Sequence, residues 1–151
     1  MKFYPDLQFP KLKVESQSEL FDALAQRVIE MGFARDDYAE GLKQREKEYP
    51  TGLPVAGGVA IPHTAAEFVS TDTIAVATLE NPISFSEMGG ASDSKVEVGV
   101  VLCLVLVDAT KHVPLLSSLI KKIQKTDLIK KLRDAGSSED IRSLLETYLD
   151  E

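Results

Sequence analysis

The chain has 151 residues, 44% of them hydrophobic, which is enough to fill the core of one domain and leaves no room for a second. Its 17 Lys and Arg against 24 Asp and Glu give a net charge of −7, which argues against a nucleic-acid binder with a clustered positive surface. The single cysteine, Cys103, excludes an internal disulfide, and no apolar run reaches the roughly 18 residues of a membrane span. We expect one cytoplasmic domain over residues 1–151, without membrane insertion, in which residues 1–15 form an arm or a strand.

Two helix patterns occupy the N-terminal third of the chain. Ser16 and Glu19 have the spacing of a capping box, and apolar residues then recur at helical intervals, which predicts a helix over residues 16–32. A second capping box predicts another helix that begins at residue 36 or 37 and runs toward residue 49, because Pro50 ends it.

Turn residues and alternating apolar residues mark loops and strands in the middle of the chain. Residues 51–58, rich in glycine and proline, predict a loop that leads into a short strand over residues 59–61. β-Branched and small residues predict a strand over residues 73–79, which the following Asn-Pro pair breaks. The polar stretch 84–94 predicts an exposed loop.

The C-terminal part combines one buried strand with three helices. An almost continuous apolar run over residues 96–107 predicts a strand that is covered on both faces. Three helical patterns follow. One begins near Thr110, one covers residues 127–135 and is ended by Gly136, and one covers residues 138–149. This mixture of strands and helices favours a single α/β domain with helices on both faces of a small sheet.

Both histidines of the chain fall just beyond a predicted strand, where α/β sheets collect ligands and reactive groups. Pro62 fixes the backbone directly before His63, which we expect to present an exposed imidazole at the strand end, and His112 follows the buried strand. Such an imidazole can act as a nucleophile, and the alternative of ordinary surface histidines stays open. The chain has no zinc-ligand spacing, serine-nucleophile elbow or nucleotide-binding glycine motif, so we expect neither metal nor cofactor.

Charged residues near the second helix have plain structural interpretations. Arg45 can be a solvated helix residue that pairs with a glutamate one turn away, an arrangement that is common and weak. For Glu46, Glu48 and Glu67 we expect a solvated surface.

Several short motifs stand in a fixed order along the chain. They are Arg45-Glu46, Thr51-Gly52, the string GVAIPH over residues 58–63, and His112 after a buried strand. Together they resemble the enzyme IIA domain of the sugar phosphotransferase system, in its fructose/mannitol superfamily. The spelling YPTGLP over residues 49–54 is most similar to the galactitol-type branch. The fold that this resemblance implies is a mixed sheet of about five strands flanked by helices on both faces.

The resemblance also implies a function and roles for individual residues. His63 would accept a phosphoryl group from HPr and pass it to a cysteine of enzyme IIB, without cofactor or metal, for uptake of a galactitol-like sugar or sugar alcohol. His112 and Arg45 would complete the active centre, while Thr51 and Gly52 would shape the loop before the motif. The chemistry agrees, since phosphoryl transfer depends on positioning, on a neutral nucleophile and on donors that stabilise the bound anion.

Two rival functions stay open at this stage. A regulatory protein of the same fold would use phosphorylation of His63 to control a binding partner instead of feeding a transporter. A non-enzymatic interaction domain with incidental histidines would not be phosphorylated at all.

Overall fold

A five-stranded mixed sheet lies at the centre of the computed structural model, which describes residues 1–91 and 93–149. The strands are β1 (Gln8–Leu12), β2 (Gly52–Leu53), β3 (Val59–Ala60), β4 (Thr73–Ser86) and β5 (Lys95–Val105). The helices are α1 (Gln17–Glu30), α2 (Tyr38–Glu48), α3 (His112–Lys125), α4 (Leu128–Asp134) and α5 (Ser138–Leu149). Short 3-10 turns occur at Pro5–Leu7, Ala66–Phe68 and Ala109–Lys111.

The order of the strands across the sheet is β1-β4-β5-β3-β2. β1 runs parallel to β4, β4 antiparallel to β5, β3 parallel to β5, and β2 antiparallel to β3. The expected α/β fold with a mixed sheet of five strands is therefore confirmed, and the N-terminal segment contains a strand.

Apolar side chains fill both faces of the sheet. One layer joins the sheet to α1 and α2 and contains Phe21 and Tyr38, while the other joins it to α3, α4 and α5 and contains Leu119 and Leu145. β5 is buried at every position from Val98 onward, as its continuous apolar sequence predicts for a strand covered on both sides. None of the described helices is both long enough and apolar enough to cross a membrane.

The two predicted capping boxes have different outcomes. The hydroxyl of Ser16 accepts a hydrogen bond from Glu19 N at 3.1 Å, which confirms the first helix start, although the Glu19 carboxylate accepts from Glu15 N instead of Ser16 N. The second predicted capping box, at the start of α2, is wrong. The Asp37 carboxylate makes no capping bond in the structure, because both of its oxygens accept from the Arg35 guanidinium at 2.8 and 3.0 Å.

The predicted strand break at Asn81 and Pro82 is also wrong, because β4 continues through both residues. The pairing register between β4 and β5 shifts in this region, between Thr78 and Ile83, so the proline lies in an exposed irregularity where its missing N–H is tolerated. Beyond it Ile83 turns back into the core. The predicted loop 84–94 therefore begins only after β4 ends, and its residue 92 lies outside the described residues.

Candidate functional site

The backbone around His63 is held by β5. β3 ends at Ala60, and the chain continues beside β5, where Pro62 O accepts a hydrogen bond from Leu104 N at 2.9 Å. His63 itself forms an isolated parallel bridge with Leu104. Since proline has a fixed φ and no N–H, this segment has little freedom, and it carries the imidazole to a defined place.

One hydrogen bond determines the tautomer of His63. Its Nδ1 lies 3.2 Å from the carbonyl oxygen of Ile61, and a carbonyl can only accept, so Nδ1 carries the proton and donates it. The lone pair then resides on Nε2, for which the described part of the chain supplies no hydrogen-bond partner. This is the form of a neutral imidazole that can attack an electrophile through Nε2.

The three residues expected at the site lie together. Arg45, His63 and His112 line one cavity of about 640 Å³, whose rim includes Tyr49 and the turn after β4. The centroids of the two imidazole rings are 5.1 Å apart. The expectation of an exposed His63 is wrong, since only 8% of the residue is accessible and its ring lies in the wall of the cavity.

Arg45 is held by an aromatic ring. Its guanidinium carbon lies 4.4 Å from the centroid of Tyr49, four residues later on the same side of the C-terminal end of α2. Its Nε is buried with no hydrogen-bond partner, and no ion pair to Arg45 occurs among the described residues. The surface ion pair considered from the sequence is therefore not what the structure shows, and the N–H donors remain available to an anion in the cavity.

His112 is the first residue of α3, so it lies at the positive end of the helix dipole. Its Nε2 is buried and has no hydrogen-bond partner among the described residues. Pro114, two residues later, lies in the first helical turn, where backbone N–H groups have no intrahelical acceptor in any case. Arg45 and His112, each with one buried nitrogen that has no partner in the described part of the chain, thus line the same cavity as His63.

Burial and neighbouring charge keep both imidazoles neutral. The pKa of His63 is lowered mainly by burial; the hydrogen bond to the Ile61 carbonyl opposes this, and His112 and then Arg45 lower the pKa by smaller amounts. The pKa of His112 is lowered by burial and then by Arg45. At pH 7 the site therefore contains neutral imidazoles beside the permanent positive charge of Arg45, and Lys47 lines the same cavity.

Thr51 lines the cavity and is hydrogen-bonded to Glu46, for which the expectation of a solvated position is wrong. Glu46, expected on a solvated surface, is only 5% exposed, and its carboxylate accepts from both the backbone N and the hydroxyl of Thr51. Its spacing gives the signal that could have found it, since Tyr38, Leu42 and Glu46 follow each other at intervals of four on the buried face of α2. Glu48 and Glu67 are exposed, as expected.

Gly52 joins β2 to the turn that forms the cavity rim. A Cβ on Gly52 would lie 2.7 Å from the carbonyl oxygen of Ser86, and its own carbonyl accepts from Met88 N at 2.8 Å. Only a residue without a side chain allows this close approach. The predicted loop 51–58 therefore contains a short strand, β2, which pairs with β3 and is bridged at Gly52 to Glu87, directly after β4.

Within the described residues, no three His, Cys, Asp or Glu side chains stand close enough together to hold a metal ion. Cys103 is buried in the core, where desolvation raises the pKa of its thiol to about 12 and makes it unreactive.

Comparison with protein families gives one match over nearly the whole chain. A family model described as "Phosphoenolpyruvate-dependent sugar phosphotransferase system, EIIA 2" matches residues 2–148.

Some of the similar curated proteins are much longer than this chain, and others are of similar size. The chain is 30% identical over 128 residues to transcriptional regulator ManR of Bacillus subtilis, and 36% identical over 111 residues to multiphosphoryl transfer protein 1 of Escherichia coli. These matches cover 85% and 73% of the chain but 18% and 12% of the relatives, so the chain spans less than a fifth of their length. The galactitol-specific EIIA component of Escherichia coli is 26% identical over 117 residues, which are 77% of each protein.

Solved structures share the fold. The nitrogen regulatory protein IIA-Ntr of Neisseria meningitidis superposes with a TM-score of 0.75 at 29% identity over 95% of each chain. The enzyme IIA mannitol domain of Escherichia coli, solved in complex with phosphorylated enzyme IIB mannitol, superposes with a TM-score of 0.73 at 18% identity over 96% of this chain and 99% of that domain. The mannitol-type fold expected from the sequence is thereby confirmed.

Proposed function

The chain belongs to the EIIA 2 family of the phosphoenolpyruvate-dependent sugar phosphotransferase system, and from this premise we propose that it carries a phosphoryl group on Nε2 of His63. One observation supports the assignment above all others. Within the described residues, the Nδ1 of His63 donates to the Ile61 carbonyl, which leaves Nε2 without a partner, and His63 lines one cavity with Arg45 and His112, each of which has a buried nitrogen without a partner. Such donors suit the oxygens of a phosphoryl group.

The proposed reaction needs no proton transfer at His63. The lone pair of Nε2 forms a bond to phosphorus while the P–N bond to the phosphohistidine of HPr breaks, and the electron pair of that bond returns to the HPr ring. Throughout both steps the proton stays on Nδ1, which donates a hydrogen bond to the Ile61 carbonyl. In the second step a cysteine thiolate of enzyme IIB attacks phosphorus, and the electron pair of the new P–N bond returns to Nε2.

Arg45 and His112 act in this proposal by binding the equatorial oxygens. The guanidinium supplies positive charge and N–H donors, and a proton on Nε2 of His112 makes that ring a second donor. Thr51 and Gly52 shape the walls, the first through the Ile61 backbone and the second through the rim turn.

The sugar and the location are inferred from similarity. The match to a galactitol-specific EIIA component, together with the YPTGLP string over residues 49–54, supports a galactitol-like sugar or sugar alcohol. A cytoplasmic location is inferred from the proposed partners, HPr as donor and enzyme IIB as acceptor, and the solved complex of a similar IIA domain with IIB supports the second partner.

A regulatory role is the second candidate, because two of the similar proteins are named as regulators. These are transcriptional regulator ManR, at 30% identity, and the nitrogen regulatory protein IIA-Ntr, at 29% identity. In that case the same phosphohistidine would change the affinity for a binding partner and would not be delivered to a transporter.

The test is reconstitution with phosphoenolpyruvate, enzyme I and HPr, followed by intact-protein mass spectrometry. We expect one acid-labile phosphoryl group on the wild-type chain and none on His63→Gln. Subsequent addition of enzyme IIB should move the phosphoryl group to its cysteine, whereas a phosphohistidine that persists favours the regulatory role. Phosphorylation of His63→Gln to the wild-type level would refute the assigned site.

A further inference from the structure

A carboxyl group that the proposed chemistry does not use, that of Glu46, is linked to His63 through Thr51 and Ile61. We infer that Glu46 is a positioning residue, which holds Thr51 and through it the Ile61 backbone whose carbonyl fixes the tautomer of His63. The inference deepens the proposed function and rests on it only for the consequence for phosphoryl transfer.

The first link joins Glu46 to Thr51 at two points. Glu46 Oε2 accepts from Thr51 N at 2.7 Å, and Glu46 Oε1 accepts from Thr51 Oγ1 at 2.8 Å. Thr51 is 2% exposed, so both bonds lie in the protein interior, where the low dielectric strengthens hydrogen bonds. With both oxygens engaged, the carboxylate fixes the backbone and the side chain of Thr51 together.

The second link follows from the single proton of the Thr51 hydroxyl. That proton is donated to Glu46, so a lone pair of Oγ1 is directed to Ile61 N, which donates to it at 3.2 Å. Glu46 thus determines which way the hydroxyl points, and the hydroxyl determines where the Ile61 N–H finds its acceptor.

The third link is the Ile61 carbonyl, which lies between two anchors. On its N-terminal side Ile61 N is bonded to Thr51, and on its C-terminal side Pro62 O accepts from Leu104 N at 2.9 Å. The carbonyl between them accepts the Nδ1 proton of His63. If the anchor at Ile61 N is lost, the carbonyl can rotate, and the proton can move to Nε2, the atom that must be free to attack phosphorus.

The energetic setting of Glu46 fits a positioning role. The residue lies in the last turn of α2, where the helix dipole disfavours a negative charge, and burial raises the pKa of its carboxyl group to about 7. Lys43 and Lys47 line the same small cavity, yet no ion pair to Glu46 occurs among the described residues. The two bonds from Thr51 are thus the interactions that hold this carboxyl group in place.

The experiment is ¹⁵N NMR of the histidine side chains in the full chain, which distinguishes the two neutral tautomers. In the wild type we expect His63 to be protonated on Nδ1. Glu46→Gln has one acceptor oxygen in place of two and should raise the Nε2–H population several-fold, and phosphoryl uptake from phospho-HPr should slow by roughly 10- to 100-fold. Thr51→Val should do the same, and Thr51→Ser, which keeps the hydroxyl, should restore the wild-type spectrum.

Controls separate positioning from general stability. Glu40→Gln changes an exposed carboxylate of the same helix and should leave the His63 spectrum unchanged. The double variant of Glu46→Gln and Thr51→Val should be no worse than either single variant, since both break one chain of bonds. If Glu46→Gln does not fold, the comparison of Thr51→Val with Thr51→Ser decides in its place.

A wild-type tautomer in folded Glu46→Gln and Thr51→Val would overturn the inference. Because the tautomer is measured without phosphoryl transfer, this result is independent of the proposed function. A wild-type chain that shows the Nδ1–H tautomer but takes up no phosphoryl group would overturn the function and leave the positioning role intact.

Discussion

The neutral form of His63 is the one that can attack phosphorus, and its surroundings favour that form. Burial is the largest influence, and His112 and Arg45 add to it. The sequence allowed us to predict that these three residues form one site, because the two histidines follow strand ends and the motifs resemble a known family. It could not show that His63 is recessed, since burial depends on how α2 and α3 pack against the sheet.

A titration tests this electrostatic environment. A histidine with a lowered pKa stays neutral to lower pH, so we expect the midpoint of His63 to lie below 6.5 in an NMR titration. Arg45→Gln removes a positive charge that lowers this pKa, and the midpoint should move upward. An unchanged midpoint in folded Arg45→Gln would show that the guanidinium does not act on the ring.

The raised pKa of the Glu46 carboxyl group predicts how the stability of the fold depends on pH. Its carboxyl pKa is raised from the usual 4.5 to about 7, so the folded chain keeps a proton that the unfolded chain has lost. The contribution of Glu46 is therefore fully present below pH 4.5 and is lost as the pH rises toward 7, by up to about 3 kcal/mol. Urea unfolding at several pH values should show that the free energy of unfolding of wild type relative to Glu46→Gln decreases over this interval. A difference that is independent of pH would contradict the raised pKa.

Tyr49 should affect activity through Arg45, over whose guanidinium its ring lies. Tyr49→Phe keeps the ring and should transfer phosphoryl groups at the wild-type rate. Tyr49→Leu loses the cation–π contact, worth about 0.5–1 kcal/mol at an exposed position, and should slow uptake by about two- to fivefold. Equal rates for the two variants, measured with limiting HPr, would show that the ring does not hold the guanidinium.

At the scale of elements, helices were easier to predict from the sequence than strands. The start of α1 follows from Ser16 and Glu19, whose bonds are local, and α5 has the predicted bounds. β2 was missed because two residues carry no periodicity and are in a strand only through pairing with β3. The continuation of β4 past Pro82 was missed for a similar reason, since its register on β5 is a long-range property.

Gly52 tests the link between β2 and β4. Gly52→Ala would place a Cβ 2.7 Å from the Ser86 carbonyl oxygen and 3.2 Å from Phe85 Cβ, so the strands must separate. We expect a loss of about 1–3 kcal/mol in the free energy of unfolding. Gly136→Ala is the control, because an added Cβ there meets no atom within 4 Å. Equal stability of the two variants in urea unfolding would contradict the close approach.

At the scale of the whole molecule, the sheet covered on both faces determines which groups meet at the site. Each layer of helices supplies one group to the cavity, Arg45 from α2 and His112 from α3, while the sheet between the layers supplies His63. The apolar pattern of β5 predicted this covering. The order of the strands was not predicted, because it depends on pairings between distant segments.

The central claim is that Nε2 of His63 carries the phosphoryl group. The most direct measurement is ¹⁵N and ³¹P NMR of the chain labelled in its histidines and phosphorylated through HPr. We expect phosphorus to be coupled to Nε2 of His63, with Nδ1 still protonated. Phosphorus on Nδ1 of His63, or on His112, would contradict it.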